Sequence, residues 1–124
     1  MSDSVGNLDD SSVRALLAAD REATLLQIGA LTRDFDEIVA ANALVAVDDE
    51  HDPEGSSTAF ERAHVASLLA QARARLADLE VASERLDRGE YGRCTECGDP
   101  IPAERLEVRP AATTCVSCAD ARPR

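Results

Sequence analysis

The chain has no tryptophan, one tyrosine and two phenylalanines, so aromatics make up only 2% of it. A broad globular core needs more bulk than that. Long thin helices can pack on small residues, and Ala and Leu are abundant here. Lysine is missing altogether: every one of the 13 basic residues is arginine, which we read as a base-composition bias of the source genome. No apolar run approaches the roughly 20 residues that span a bilayer. The acidic opening MSDSVGNLDD lacks the apolar segment of a signal peptide. A cytoplasmic protein with reduced thiols and no membrane association is therefore expected, which weighs against disulfides.

Positive charge is also scarce. The formal net charge is −11, and residues 1–56 hold 13 acidic and 3 basic side chains. Residues 57–93 are balanced at six and six, and residues 94–124 carry five acids and four bases. Nothing in this distribution makes the continuous positive surface that duplex binding depends on, so sequence-specific DNA binding is not expected. No nucleophile, base and orienting group assemble in a recognisable pattern, and no enzyme is expected. An EF-hand reading of Asp48, Glu50 and Asp52 fails, because Pro53 stands at the required glycine and Ala59 at the closing glutamate.

What the chain does have is four cysteines in two pairs. Cys94 and Cys97 form one CxxC, Cys115 and Cys118 the other, with 17 residues between them. That spacing fits a tetrahedral zinc site: each turn aims two sulfurs at one metal, and a loop of this length returns the second pair without strain. Gly98 follows the first knuckle, where positive φ is often needed. Pro100, Pro102 and Pro110 stiffen the connecting loop. Four thiolates leave no open coordination position, so one structural Zn²⁺ is expected. A thioredoxin-like redox site would need a βαβ setting, which is absent.

Upstream the pattern is helical. Over residues 12 to 47, Val13, Leu17, Ile28, Leu31, Phe35, Ile38 and Val45 step by threes and fours, with Thr24 and Asn42 on the same seam. Over 58 to 88 a second seam reads Val65, Leu69, Ala72, Leu76, Leu79 and Leu86, with Ser83 in register. Each narrow stripe calls for another helix to cover it. Between them DDEHDPEGSS carries Pro53 and Gly55 as breakers, and Thr58 with Glu61 forms a capping box that restarts the helix. The expected fold is mainly α. An N-terminal tail (1–11) leads into a long antiparallel coiled-coil hairpin (12–90, tip at 48–57). A C4 zinc-finger module (91–124) with a short terminal helix follows. A reversal centred near residue 52 would set Phe35 and Leu69 at one level. The alternative cover is a second chain in a dimeric coiled coil; the central breaker favours a hairpin, and a monomer.

The compound motif of Cys94, Cys97, Gly98, Ile101, Arg105, Leu106, Pro110, Cys115 and Cys118 resembles the C4 zinc finger of the DksA/TraR family of bacterial transcription regulators. The preceding GEYGRC fits that family's architecture as well. The resemblance implies a protein that binds RNA polymerase directly and inserts its hairpin into the secondary channel to modulate initiation, tip acids approaching the catalytic magnesium. An acidic chain suits such a channel. The family's tip motif is D-x-x-D-x-A; here Asp52 matches, but Gly55 and Ser57 replace the second aspartate and the alanine. Asp48, Asp49, Glu50 and Glu54 offer substitute carboxylates. Arg109 matches one basic position of the family's guanosine tetraphosphate site, and Arg105 is a further candidate for partner contact or for buttressing the finger. Asp78 and Ala119 stand where lysines are expected, which counts against a guanosine tetraphosphate response. Two other readings stay open: a zinc-containing adaptor directed at another protein, and a zinc ribbon that binds nucleic acid.

Overall fold

The computed structural model describes residues 9–45 and 53–121. Four helices account for most of them: α1 (Asp10–Val45), α2 (Pro53–Asp87), α3 (Ala103–Val108) and α4 (Val116–Ala121). The β pairing among the described residues is an isolated bridge between Arg93 and Pro100. The mainly α fold with a short terminal helix is as expected, and α3 is an addition within the loop between the cysteine pairs.

Both long helices start earlier than their sequence signals suggest. The Asp9 carboxylate accepts the N–H of Ser12 at 2.7 Å, so Asp9 caps α1 and the helix begins at Asp10, shortening the expected tail of 1–11. The same bond holds the Asp9 carboxyl below the usual aspartate range. At the other boundary, α2 begins at Pro53 and runs through Gly55, so the expected restart at Thr58 and a tip reaching to residue 57 are corrected. Proline at the start of a helix gives up an N–H that has no intrahelical acceptor there. One glycine costs a helix only about 1 kcal/mol.

The chain divides into two compact units. One joins residues up to Glu22 with those from Arg75 onward; the other is Ala23–Ala74. In the first, Val13 and Leu17 of α1 bury against Leu79, Ala82 and Leu86 of α2, with Tyr91 and Ala111 packed on the cluster. Fully burying a side chain of this size contributes about 1.5–3 kcal/mol. Ion pairs flank the seam. Arg14 meets Asp87 at 2.8 Å, Arg21 meets Glu80 at 3.6 Å, and Arg75 pairs with Asp20. As the α1 partner advances from 14 to 21 the α2 partner falls from 87 to 80, which makes the packing antiparallel. A reversal at residue 52 would have set Ser83 level with Arg21, and all three α2 partners stand earlier in the chain than that reversal places them, so in this unit the helices are slid along one another relative to the expected register. A seam stepping by threes and fours looks the same after a one-turn slide, so sequence alone does not separate the two registers.

In the second unit Thr24, Leu69 and Ala72 are buried, while Ile28, Leu31, Phe35, Ile38, Asn42, Val65 and Leu68 are half-buried. Thr32 turns its hydroxyl back onto the Ile28 carbonyl at 2.7 Å. That gives a half-buried hydroxyl beside the seam its partner. Phe60 is 77% exposed. Among the described residues no helix is long and apolar enough to cross a membrane.

Candidate metal centre

The centre is assembled from a turn and a helix end. Gly89, at φ 76°, ends α2 in the left-handed region that disfavours side chains. Gly92, buried and at φ 86°, accepts the N–H of Ile101 at 2.7 Å and closes the first loop on itself. Within that loop Cys94 donates its N–H to the Asp99 carbonyl, and Gly98 donates to the Cys94 carbonyl at 3.0 Å. Gly98 has φ 78° with open space around it, so the backbone, not crowding, selects glycine there. The second pair sits at the start of α4: Ala119 donates to the Cys115 carbonyl at 3.0 Å, which places Cys115 and Cys118 on one turn.

All four sulfurs lie within 4.8 Å of one another, and those of Cys97 and Cys115 are 3.9 Å apart. A zinc ion with four Zn–S bonds of about 2.3 Å makes a tetrahedron with edges of about 3.8 Å, so the donor set fits. Backbone N–H groups point at the sulfurs as well, Glu96 to Cys94 at 3.4 Å and Asp99 to Cys97 at 3.5 Å. Burial alone would raise the Cys94 thiol, but the N–H donors of Cys97, Cys115 and Glu96 outweigh it and bring it down to about 6. The neighbouring sulfurs of Cys115, Cys94 and Cys97 push Cys118 up to about 12. One thiolate is therefore accommodated readily and four are not, unless a divalent cation offsets their charge. The cysteines are the ligand set of one structural zinc, with no position left for a substrate.

A small core supports the centre: Cys94, Ile101 and Leu106 are buried, with Tyr91 and Ala112 packed on them. Arg105 donates from Nε to the Thr114 carbonyl at 2.8 Å, the buttressing bond considered above, just before Cys115. Arg109 is exposed, one turn away. The two arginines share a shallow groove with Pro102, Glu104, Val108 and Val116, and Val108 is 79% exposed. Of the tip acids, Asp48, Asp49, Glu50 and Asp52 lie outside the described residues, and Glu54 falls in the first turn of α2. Asp78 is exposed on α2, and Ala119 is in α4. Two contributors were not singled out by sequence reasoning. The Tyr91 hydroxyl donates to the Pro110 carbonyl at 2.8 Å, and Arg85 donates from Nη2 to the carbonyls of Glu90 and Arg93 at 2.8 and 2.6 Å. The lone tyrosine at the junction was the available signal for the first.

Residues 89–124 match the family model of the prokaryotic dksA/traR C4-type zinc finger. The chain is 40% identical over 40 residues to the RNA polymerase-binding transcription factor DksA of Haemophilus influenzae, covering 32% of this chain and 28% of that protein. It is 36% identical over 66 residues to YteA, an uncharacterised protein of Bacillus subtilis, covering 53% of this chain and 28% of the relative. Matches to these relatives thus span less than a third of their length. Among solved structures, transcription factor DksA2 from Pseudomonas aeruginosa aligns with a TM-score of 0.53 and 26% identity, over 94% of this chain and 90% of that one.

Proposed function

We propose, for a chain whose C-terminal module is a DksA/TraR C4-type zinc finger, that it regulates transcription in the cytoplasm by binding RNA polymerase directly. In this reading α1 and α2 enter the secondary channel as a hairpin, and Asp48, Asp49, Glu50, Asp52 and Glu54 form its leading end. Zinc holds the finger in shape and takes no part in chemistry. The observation that carries the reading is the closed four-sulfur centre directly following a pair of long helices, in an arrangement similar to DksA2 over 94% of the chain.

Charge supports it. Residues 1–56, with 13 acids and 3 bases, suit a passage lined by basic groups better than a nucleic-acid surface. Arg105 is engaged in the finger's own loop, which leaves Arg109 as the freer arginine for partner contact. Without lysines at Asp78 and Ala119, Arg109 lacks two groups for a guanosine tetraphosphate site, which counts against such a response. The test is direct binding of the purified, zinc-loaded chain as a monomer to core RNA polymerase, with duplex DNA and total cell protein as parallel baits. Saturable binding to the core enzyme is expected. Capture of nucleic acid alone, or of another protein alone, overturns the reading in favour of a ribbon or an adaptor.

A further inference from the structure

One residue belongs to two cores. Tyr91 packs on the cluster of Val13, Leu17, Leu79, Ala82 and Leu86, and also on Cys94, Ile101 and Leu106. Its hydroxyl is bonded to the Pro110 carbonyl, next to Ala111, the other finger residue that covers the helical cluster. Arg85, on the last turns of α2, holds the carbonyls on both sides of Tyr91 with one nitrogen. The start of α1 and the end of α2 thus meet at a cluster whose outer cover is supplied by the finger.

The finger cannot supply that cover unaided. Its buried core is three residues, one of them a metal ligand. A module of this size does not hold its fold by burial alone, and metal-binding free energy becomes its folding free energy. We infer that zinc loading is transmitted through Tyr91 to the helical base, so that the finger acts as a metal-dependent clamp on the start of α1 and the end of α2. When zinc leaves, the Pro110 carbonyl and Ala111 lose their fixed positions. The Tyr91 ring is then no longer held on the helical cluster, and the side of the cluster that it covers opens to water. Tyr91 is a positioning residue: it touches the metal's ligand shell on one side and the helices on the other. The inference rests on the metal centre and stands whether or not the partner is RNA polymerase.

The experiment uses the full chain under reducing conditions, with zinc content measured for each sample. Thermal unfolding is followed by the helical signal. α3 and α4 are six residues each, against 36 and 35 in α1 and α2, so this signal reports mainly the long helices. Chelation of the wild type is expected to lower the midpoint by roughly 5–10 °C. Tyr91→Ala should show a similar drop with zinc still bound, and chelation should then add little. Tyr91→Phe keeps the ring and should keep most of the chelation shift. Should the alanine variant fail to fold, Tyr91→Leu carries the same comparison. Tyr91 is the single tyrosine in a chain without tryptophan, so its emission reads the joint independently. In the wild type that emission should change with zinc removal alongside the helical midpoint. A chelated wild type with an unchanged midpoint overturns the inference, as does a zinc-bound Tyr91→Ala that retains the full chelation shift.

Discussion

Tyr91 is a weak acid placed where ionising it is costly. Burial pushes its pKa from the ordinary 10 up to about 12. In the unfolded chain the phenol releases its proton near 10, in the folded chain only near 12. The protonated ring therefore contributes its full stabilisation below pH 10, and that contribution is lost as the pH rises through about 12. Denaturation midpoints measured across this alkaline range should fall for the wild type and fall less for Tyr91→Phe. Phenolate absorbance should show the delayed titration directly, and a ring that titrated at 10 would be one exposed to water. The cysteines and Gly98 were readable from the sequence because spacing and one backbone angle dictate them. Arg85, Tyr91 and the Arg105 bond to Thr114 were not, since their partners are carbonyls whose positions exist only once the finger has folded.

For the helices, burial and charge make unequal contributions. Leu79 is among the most completely buried side chains, whereas Arg14 and Asp87 are both more than half exposed. Leu79→Ala should cost about 2–5 kcal/mol, because a cavity remains where the side chain was. Arg14→Ala should cost no more than about 1 kcal/mol, since water screens the pair. Chemical denaturation of both variants checks the ordering, and equal losses would contradict this packing. The seams themselves could be read off at single-residue level: Val13, Leu17, Thr24, Leu69, Ala72, Leu79 and Leu86 are all buried. What periodicity does not contain is the slide of one helix along the other. That slide shows only in the contacts of side chains off the stripe, such as Arg21 with Glu80 and Arg75 with Asp20. The starts of the helices escaped for a related reason. Pro53 reads as a breaker in isolation but is well suited to a first turn, and Asp9 with Ser12 is a short-range cap that apolar periodicity does not show.

Along the sequence the negative charge is concentrated ahead of the metal module: of a net −11, residues 1–56 hold 13 acids against 3 bases. If docking and action are separate, the shaft and base supply affinity while the carboxylates act where charge is confined and poorly screened. On the polymerase reading proposed above, changing Asp48, Asp49, Glu50, Asp52 and Glu54 together to Asn or Gln should leave polymerase association within about 3-fold, under 1 kcal/mol, while most of the effect on initiation in a purified transcription assay disappears. A neutralised variant that regulates as well as the original would remove the tip from the mechanism.

The division into units also bears on biosynthesis. Ala23–Ala74 is continuous in sequence, whereas the other unit needs Val13 and Leu17 to meet Leu79, Leu86 and Ala111. During vectorial synthesis the continuous unit has all its residues outside the ribosome well before the distant ends can join, and low-separation contacts form first. The opening turns of α1 must wait, their apolar stripe uncovered, until Leu79 and Leu86 have emerged, and the outer cover from Tyr91 and Ala111 comes later still. If the finger is the clamp inferred above, metal binding completes the assembly of a nascent chain, and a shortage of zinc would leave the start of α1 without its outer cover.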